Sequence, residues 1–213
     1  MSEHVWLPLF PLNTVLFPGG VLPLKVFEAR YIDMVRDCMK RNAPFGVVRI
    51  KSGKEVGRAA EPDQVGCLAH IVEWDMPELG LLMLQTSGGQ RFRILETRVL
   101  PDQRTEARIE LIAEDAEPPV SAELVACATA LKTVIADINS AARASGESGF
   151  NPFPAELRLD SACWVANRWC EILPISTLAR QKLLELTDAQ SRLQIVHQYL
   201  LQHGIVGKDP HNH

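Results

Sequence analysis

The chain has 213 residues, 46% of them hydrophobic, and 22 Lys and Arg stand against 26 Asp and Glu for a net charge of −4. That is apolar material enough for one large packed domain or two modest ones. The slight acidity argues against a large nucleic-acid footprint, which needs clustered basic residues.

Met1-Ser2-Glu3-His4 lacks the basic start of a signal peptide, and prolines break the apolar run that follows. No apolar run is read as approaching the roughly twenty residues of a bilayer span. Cys38, Cys67, Cys127, Cys163 and Cys170 are widely spread and form no Cys-x-x-Cys pair. Reduced, mostly buried thiols and a soluble cytoplasmic protein are expected.

The stretch from Leu7 to Leu24 sets prolines among large apolar residues. Proline cannot donate to a ladder, so it belongs at strand starts, edges and bulges. Two extended segments follow, near 5–10 and 21–27, joined by a Pro18-Gly19 turn, with Phe10, Phe17 and Phe27 buried. Tyr31, Ile32, Val35, Cys38 and Met39 then recur at helical spacing across 28–40, and Asn42-Ala43-Pro44 ends that helix. Residues 45–50 read as a strand. From Val65 the pattern becomes an antiparallel meander, with strands at 65–74, 81–86, 91–99 and 105–113. Turns are expected at 75–80, at Ser87-Gly88-Gly89 and at Pro101-Asp102-Gln103. Several short strands at this spacing suggest a small barrel or sandwich.

Glu114-Asp115-Ala116-Glu117-Pro118-Pro119 reads as a solvated acidic linker and a domain boundary. Beyond it the pattern is helical. Leu124, Ala128, Leu131, Ile135, Ile138 and Ala142 share one face of a helix begun at Ser121. Residues 146–154 form a loop. Asp160 or Ser161 caps a helix carrying Trp164 and Trp169, which Pro174 stops. Ser176 and Asp188 start two more, the last ending at Gly204. The organisation is α+β: a β-rich part over 1–115 with one amphipathic helix, a bundle of about four helices over 116–205, and a disordered tail over 206–213.

Several ordered motifs together carry a resemblance. They are Leu7-Pro8-Leu9-Phe10-Pro11-Leu12, Val15-Leu16-Phe17-Pro18-Gly19, Leu22-Pro23-Leu24 and Phe27-Glu28-Ala29-Arg30-Tyr31. Phe45-Gly46-Val47, Val65-Gly66, Gly89-Gln90-Arg91-Phe92-Arg93-Ile94 and Leu173-Pro174-Ile175 through Arg192-Leu193 follow in order. The chain resembles the amino-terminal, substrate-binding domain of the Lon proteases, and above all the bacterial stand-alone form that lacks the ATPase and protease domains. The resemblance implies a PUA-like antiparallel β-barrel followed by a helical bundle. It also implies a role in recognising protein substrates, as an adaptor in protein quality control, without catalysis.

A search for catalytic groups returns near misses. Ser52-Gly53-Lys54-Glu55 ends like a phosphate-binding loop, but Val48 stands where the first glycine belongs and Glu55 replaces Ser or Thr. Gly146-Glu147-Ser148-Gly149 is like a nucleophile elbow, yet Phe150 takes the last glycine position. Cys163 and Cys170 share a helix face, and His197 and His203 do so poorly, whereas zinc needs three or four close ligands. The carboxylates Glu114, Asp115 and Glu117 lie in the linker without a pocket to shift their pKa. Glu28 and Arg30 read as a helix start rather than a functional pair. No enzyme, cofactor or metal is expected.

A binding module needs exposed apolar anchors or an open strand edge. Phe150 and Phe153, in a Gly/Pro/Ser loop, either pin that loop down or rim a groove for unfolded segments. Trp74, Met76 and Leu79, around a hairpin tip, are the second set, either packed on the helix behind or exposed as anchors. The partners expected are proteins or unfolded polypeptide segments, with no membrane and with the oligomeric state left open. RNA binding by a PUA-like barrel is the alternative, counted against by the acidity.

Overall fold

Phe92 is fully buried, and two glycines make room for its ring. A methyl group on Gly46 would meet the Phe92 ring at 2.7 Å, and one on Gly66 would meet it at 2.6 Å. Both distances lie far inside van der Waals contact, so these two motifs need glycine.

The computed structural model describes residues 6–144, 153–154 and 156–207. Among them six strands form one mixed sheet: β1 (Leu7–Leu12), β2 (Val21–Val26), β3 (Phe45–Ser52), β4 (Glu61–Glu78), β5 (Leu81–Val99) and β6 (Thr105–Leu111). Five α-helices accompany them: α1 (Ala29–Arg41), α2 (Val125–Ala144), α3 (Ala162–Ile172), α4 (Thr177–Glu185) and α5 (Ala189–Gln202). The strand order is β2-β5-β4-β3-β1-β6, and β6 also pairs with β5. Pairing therefore runs from β5 through β4, β3 and β1 to β6 and returns to β5.

Two features of the sheet correct the sequence reading. β1 and β3 run parallel, Phe10 opposite Val47, so the sheet is not wholly antiparallel. Parallel neighbours need a crossover, and the chain between β1 and β3, with β2 and α1 in it, supplies one. The second feature is β5, which continues through Ser87-Gly88-Gly89 with a register shift against β4 instead of a turn. Its first half pairs with β2 and its second half with β6. Gly88 is needed there because a Cβ would fall 2.1 Å from the Phe17 carbonyl oxygen. The Pro18-Gly19-Gly20 turn docks on it: Gly19 N–H donates to Gly88 O and Gly88 N–H to Gly20 O, each at 2.8 Å.

The chain divides into two compact units. The first runs up to Glu114 and takes in Ile175–Leu184; the second holds Asp115–Pro174 and the chain from Glu185 onward. In the first, α1 lays Tyr31, Met34, Val35 and Cys38 on a core with Phe10, Leu24, Val26, Phe45, Leu82 and Leu84. Phe10 stacks on Tyr31 with ring centroids 4.4 Å apart. Phe17 is fully buried, but Phe27 is exposed, against expectation. The alternation of β2 explains it: Leu24 and Val26 point inward, so Lys25 and Phe27 point out.

Composition groups α4 with the other helices, yet the structure packs it with the strands. Gln181 Nε2 donates to Val65 O at 3.0 Å, and Arg91 Nη1 donates to Leu184 O at 2.7 Å. Arg30 and Glu28 do more than start α1. Arg30 pairs with Glu28 at 3.0 Å and donates to Gln103 O at 2.8 Å, holding the turn where Gln103 sits at a φ of 68°.

In the second unit α3 is buried around its whole circumference and packs on α2 and α5. Ser161 and Asp188 cap α3 and α5, accepting from Trp164 N–H and Ser191 N–H. Trp164 and Trp169 are both buried, and Trp169 Nε1–H donates to Cys127 O at 2.9 Å. The acidic linker is not merely solvated. Asp115 pairs with Arg192 at 2.8 Å, Glu117 pairs with Arg158, and Ala162 N–H donates to Pro118 O. The stretch Ala122–Ala142 is, by length and composition, apolar enough to cross a bilayer, which the sequence reading missed because alanines make up much of it. Its buried residues Leu124, Cys127, Leu131 and Ile135 form the single stripe of a helix packed on one side. Val206, assigned to a disordered tail, is buried: Gly204 at a φ of 67° ends α5, and Ile205 N–H turns back to Leu200 O at 2.9 Å.

Candidate functional site

β4 and β5 extend well beyond the strand beside them. β3 pairs with β4 only as far as Phe45 opposite Ala69, whereas β4 and β5 stay paired out to Glu78 opposite Leu81. The segment from His70 to Glu78 therefore has β5 on one side and, among the described residues, no strand on the other. The tip is sharp, with Gly80 at a φ of 86°. The turn expected over 75–80 shrinks to Leu79-Gly80, since the strand runs on to Glu78.

Apolar side chains on this arm stay in water. Leu79 is fully exposed, Val72 and Trp74 are more than half exposed, and Met76 is 41% exposed. Trp74 lies opposite Leu84, which belongs to the core below α1. Beside it is a cleft of about 300 Å³, lined by His70, Ile71, Val72 and Trp74 and by Cys38, Met39, Asn42 and Ala43 at the end of α1. Asn42, in the left-handed region, closes that helix, and Ala43 N–H returns to Cys38 O at 2.9 Å. Burial pushes the Cys38 thiol pKa up, so it stays protonated in the cleft wall. From 70 to 80 the chain carries Glu73, Asp75 and Glu78 and no Lys or Arg.

Trp74, Met76 and Leu79 thus stand together on one exposed arm. Phe153, by contrast, is buried at 6% exposure, and Phe150 lies outside the described residues. Sequence reasoning missed Val72 and the end of α1. The Val72-Trp74-Met76 alternation on one strand was the signal for the former; nothing in the sequence alone places Asn42 and Ala43 beside it.

Among the described residues the near misses show surface turns and packing contacts. Gly53 turns at a φ of 111°, and Glu55 accepts from Asn13 N–H at 2.6 Å in a surface loop. The Gly146-Glu147-Ser148-Gly149 stretch lies outside the described residues. His203 stacks on Tyr199 with ring centroids 3.9 Å apart, and Cys163 lies 3.6 Å from both Asp115 and Asn167. Among the described residues no three His, Cys, Asp or Glu side chains are grouped as a metal site would need.

Comparison with known proteins agrees with this architecture. A family profile described as the ATP-dependent protease La (LON) substrate-binding domain matches residues 6–202. Lon protease 2 of Herpetosiphon aurantiacus is 28% identical over 193 residues, which is 88% of this chain and 23% of that protein. Protein cereblon of Gallus gallus is 28% identical over 116 residues, 53% of this chain and 25% of that one. The chain thus spans about a quarter of the length of these relatives. The crystal structure of a Lon N-terminal domain protein from Xanthomonas campestris superposes with a TM-score of 0.73 at 31% identity, covering 92% of this chain and 98% of that one. On the profile match across nearly its whole length, this chain belongs to the Lon substrate-binding domain family.

Proposed function

We propose that this chain is a non-enzymatic protein-binding module, working in the cytoplasm as an adaptor in protein quality control. Its contact surface in this reading is the β4–β5 arm bearing Val72, Trp74, Met76 and Leu79. The observation that carries it is the set of large apolar side chains held in water beside an open cleft, in a family described by substrate binding. Grouped exposed apolar side chains are rare on monomeric surfaces unless something covers them. Trp and Met serve well as anchors because they bury much area and adapt to varied partners. We also read the returning run of pairings as a small PUA-like barrel and the helices of the second unit as a bundle. The RNA-binding alternative gains no support from an arm whose only charges are acidic.

The test is a titration of a fluorescein-labelled, reduced and carbamidomethylated α-lactalbumin, whose blocked thiols carry no added charge, with the protein and with a Trp74→Ser, Met76→Ser, Leu79→Ser variant. Truncating even one central anchor costs about 2 kcal/mol, so affinity should fall by at least about thirtyfold. The melting temperature should hold, because none of the three side chains is buried. Unchanged affinity would remove the arm from the function.

A further inference from the structure

We infer that the open edge of β4, from His70 to Met76, takes an extended apolar and basic polypeptide segment as an added β-strand. The segment lies in the cleft between that edge and the end of α1. This rests on the protein-binding reading above and names both the mode of binding and the chemistry of the ligand.

The edge supplies the first reason. Past Ala69 the outward N–H and C=O groups of β4 have no strand to pair with among the described residues, and such a row is a template for another chain. Natural edges are usually blunted by lysine, by proline, by brevity or by a bulge. Here the register against β5 shifts between Ile71 and Glu73, which leaves Glu73 to Asp75 as the regularly paired part of the edge beyond it. This edge carries no Lys or Arg, and its proline, Pro77, lies beyond the segment in question. The cleft supplies the second reason. It holds about 300 Å³, with His70, Val72 and Trp74 on the strand side and Met39, Asn42 and Ala43 on the helix side. An added strand would send alternate side chains toward Trp74 and Met39 and the others toward the opposite face.

Charge chooses the occupant. Glu73, Asp75 and Glu78 line the arm without a compensating cation between 70 and 80. A second copy laid antiparallel along the same edge would set these carboxylates against their own kind, which destabilises a strand pair. Lysines or arginines interleaved with apolar residues meet them favourably, and an acidic segment is repelled.

Four peptides of about ten residues, the length of a typical strand or slightly more, test this on the full chain by fluorescence anisotropy. The first alternates leucine and lysine, and the second alternates leucine and glutamate. The third and fourth are the lysine peptide with N-methyl groups on one or the other set of alternate amides. The lysine peptide should bind at least about tenfold more tightly than the glutamate peptide, and Glu73→Lys with Asp75→Lys should abolish or reverse that preference. Only one set of amides faces the edge in an added strand. One methylated peptide should therefore lose about tenfold or more while the other keeps its affinity. Equal effects of both methylations, or of neither, overturn strand addition. Equal binding of lysine and glutamate peptides overturns the charge assignment. If unfolded α-lactalbumin still binds through Trp74, Met76 and Leu79 in either case, the protein-binding reading survives; if it does not, both fail. A concentration-dependent dimer in sedimentation velocity, abolished by Trp74→Ser, would give the edge to a second copy and overturn the proposal.

Discussion

At the scale of single residues, the second unit is held by a charge taken out of water. The Arg192 side chain is 1% exposed and that of Asp115 4%, and the guanidinium also reaches Asn167 Oδ1 at 3.0 Å and the Leu186 carbonyl. Removing one partner of such a pair leaves the other buried without compensation, which costs more than the pair contributes. Asp115→Ala should therefore lose about 3 kcal/mol in urea unfolding, while Asp115→Asn, which keeps an acceptor, loses less. Asp188 gives a pH-dependent counterpart. Hydrogen bonds from the Ser191 side chain and backbone hold its carboxyl below the usual value of 3.8. A depressed folded pKa adds stability that is present above the unfolded value and is lost as pH falls through the folded one. The gap in melting temperature between the protein and Asp188→Ala should be full at neutral pH and close below 3.8. A gap that persists into strong acid would show that the cap does not act through its charge.

At the scale of elements, β5 organises the sheet by changing partner halfway. Gly88 lets the chain at Phe17 rest on it, so Gly88→Ala must displace backbone rather than a flexible side chain. A loss of roughly 2 kcal/mol in chemical unfolding is expected, of the size of an overpacked core. Much of this level was legible in the sequence. The caps at Ser161 and Asp188, the face of α1 and the stop at Asn42 follow from local periodicity and side-chain hydrogen bonding, which need no distant information. The continuity of β5 was not legible. Ser-Gly-Gly has the same composition whether its glycine makes a turn or makes room for a carbonyl from another segment, and Phe17 decides between them. Parallel pairing of β1 with β3 escaped for the same reason. The burial of Asp115 escaped too, because its partner Arg192 lies 77 residues farther along the chain, in α5.

At the scale of the molecule, the functional reading rests on what the sheet leaves uncovered. Trp74, Met76 and Leu79 were visible in the sequence as apolar residues near a hairpin tip. Their exposure was not, because it depends on β3 pairing with β4 no farther than Ala69 while β5 continues to the tip. The same mismatch opens the strand edge and the cleft against the end of α1, so one difference in strand length yields anchor, edge and groove together. Phe153, equally apolar and in an equally polar stretch, ends up buried. Amide hydrogen exchange, followed by mass spectrometry with and without saturating unfolded α-lactalbumin, tests the location directly. The account predicts that peptides covering 70–80 gain the largest protection, with a smaller gain at 38–43. Protection confined to other parts of the chain, with 70–80 exchanging as before, would contradict it.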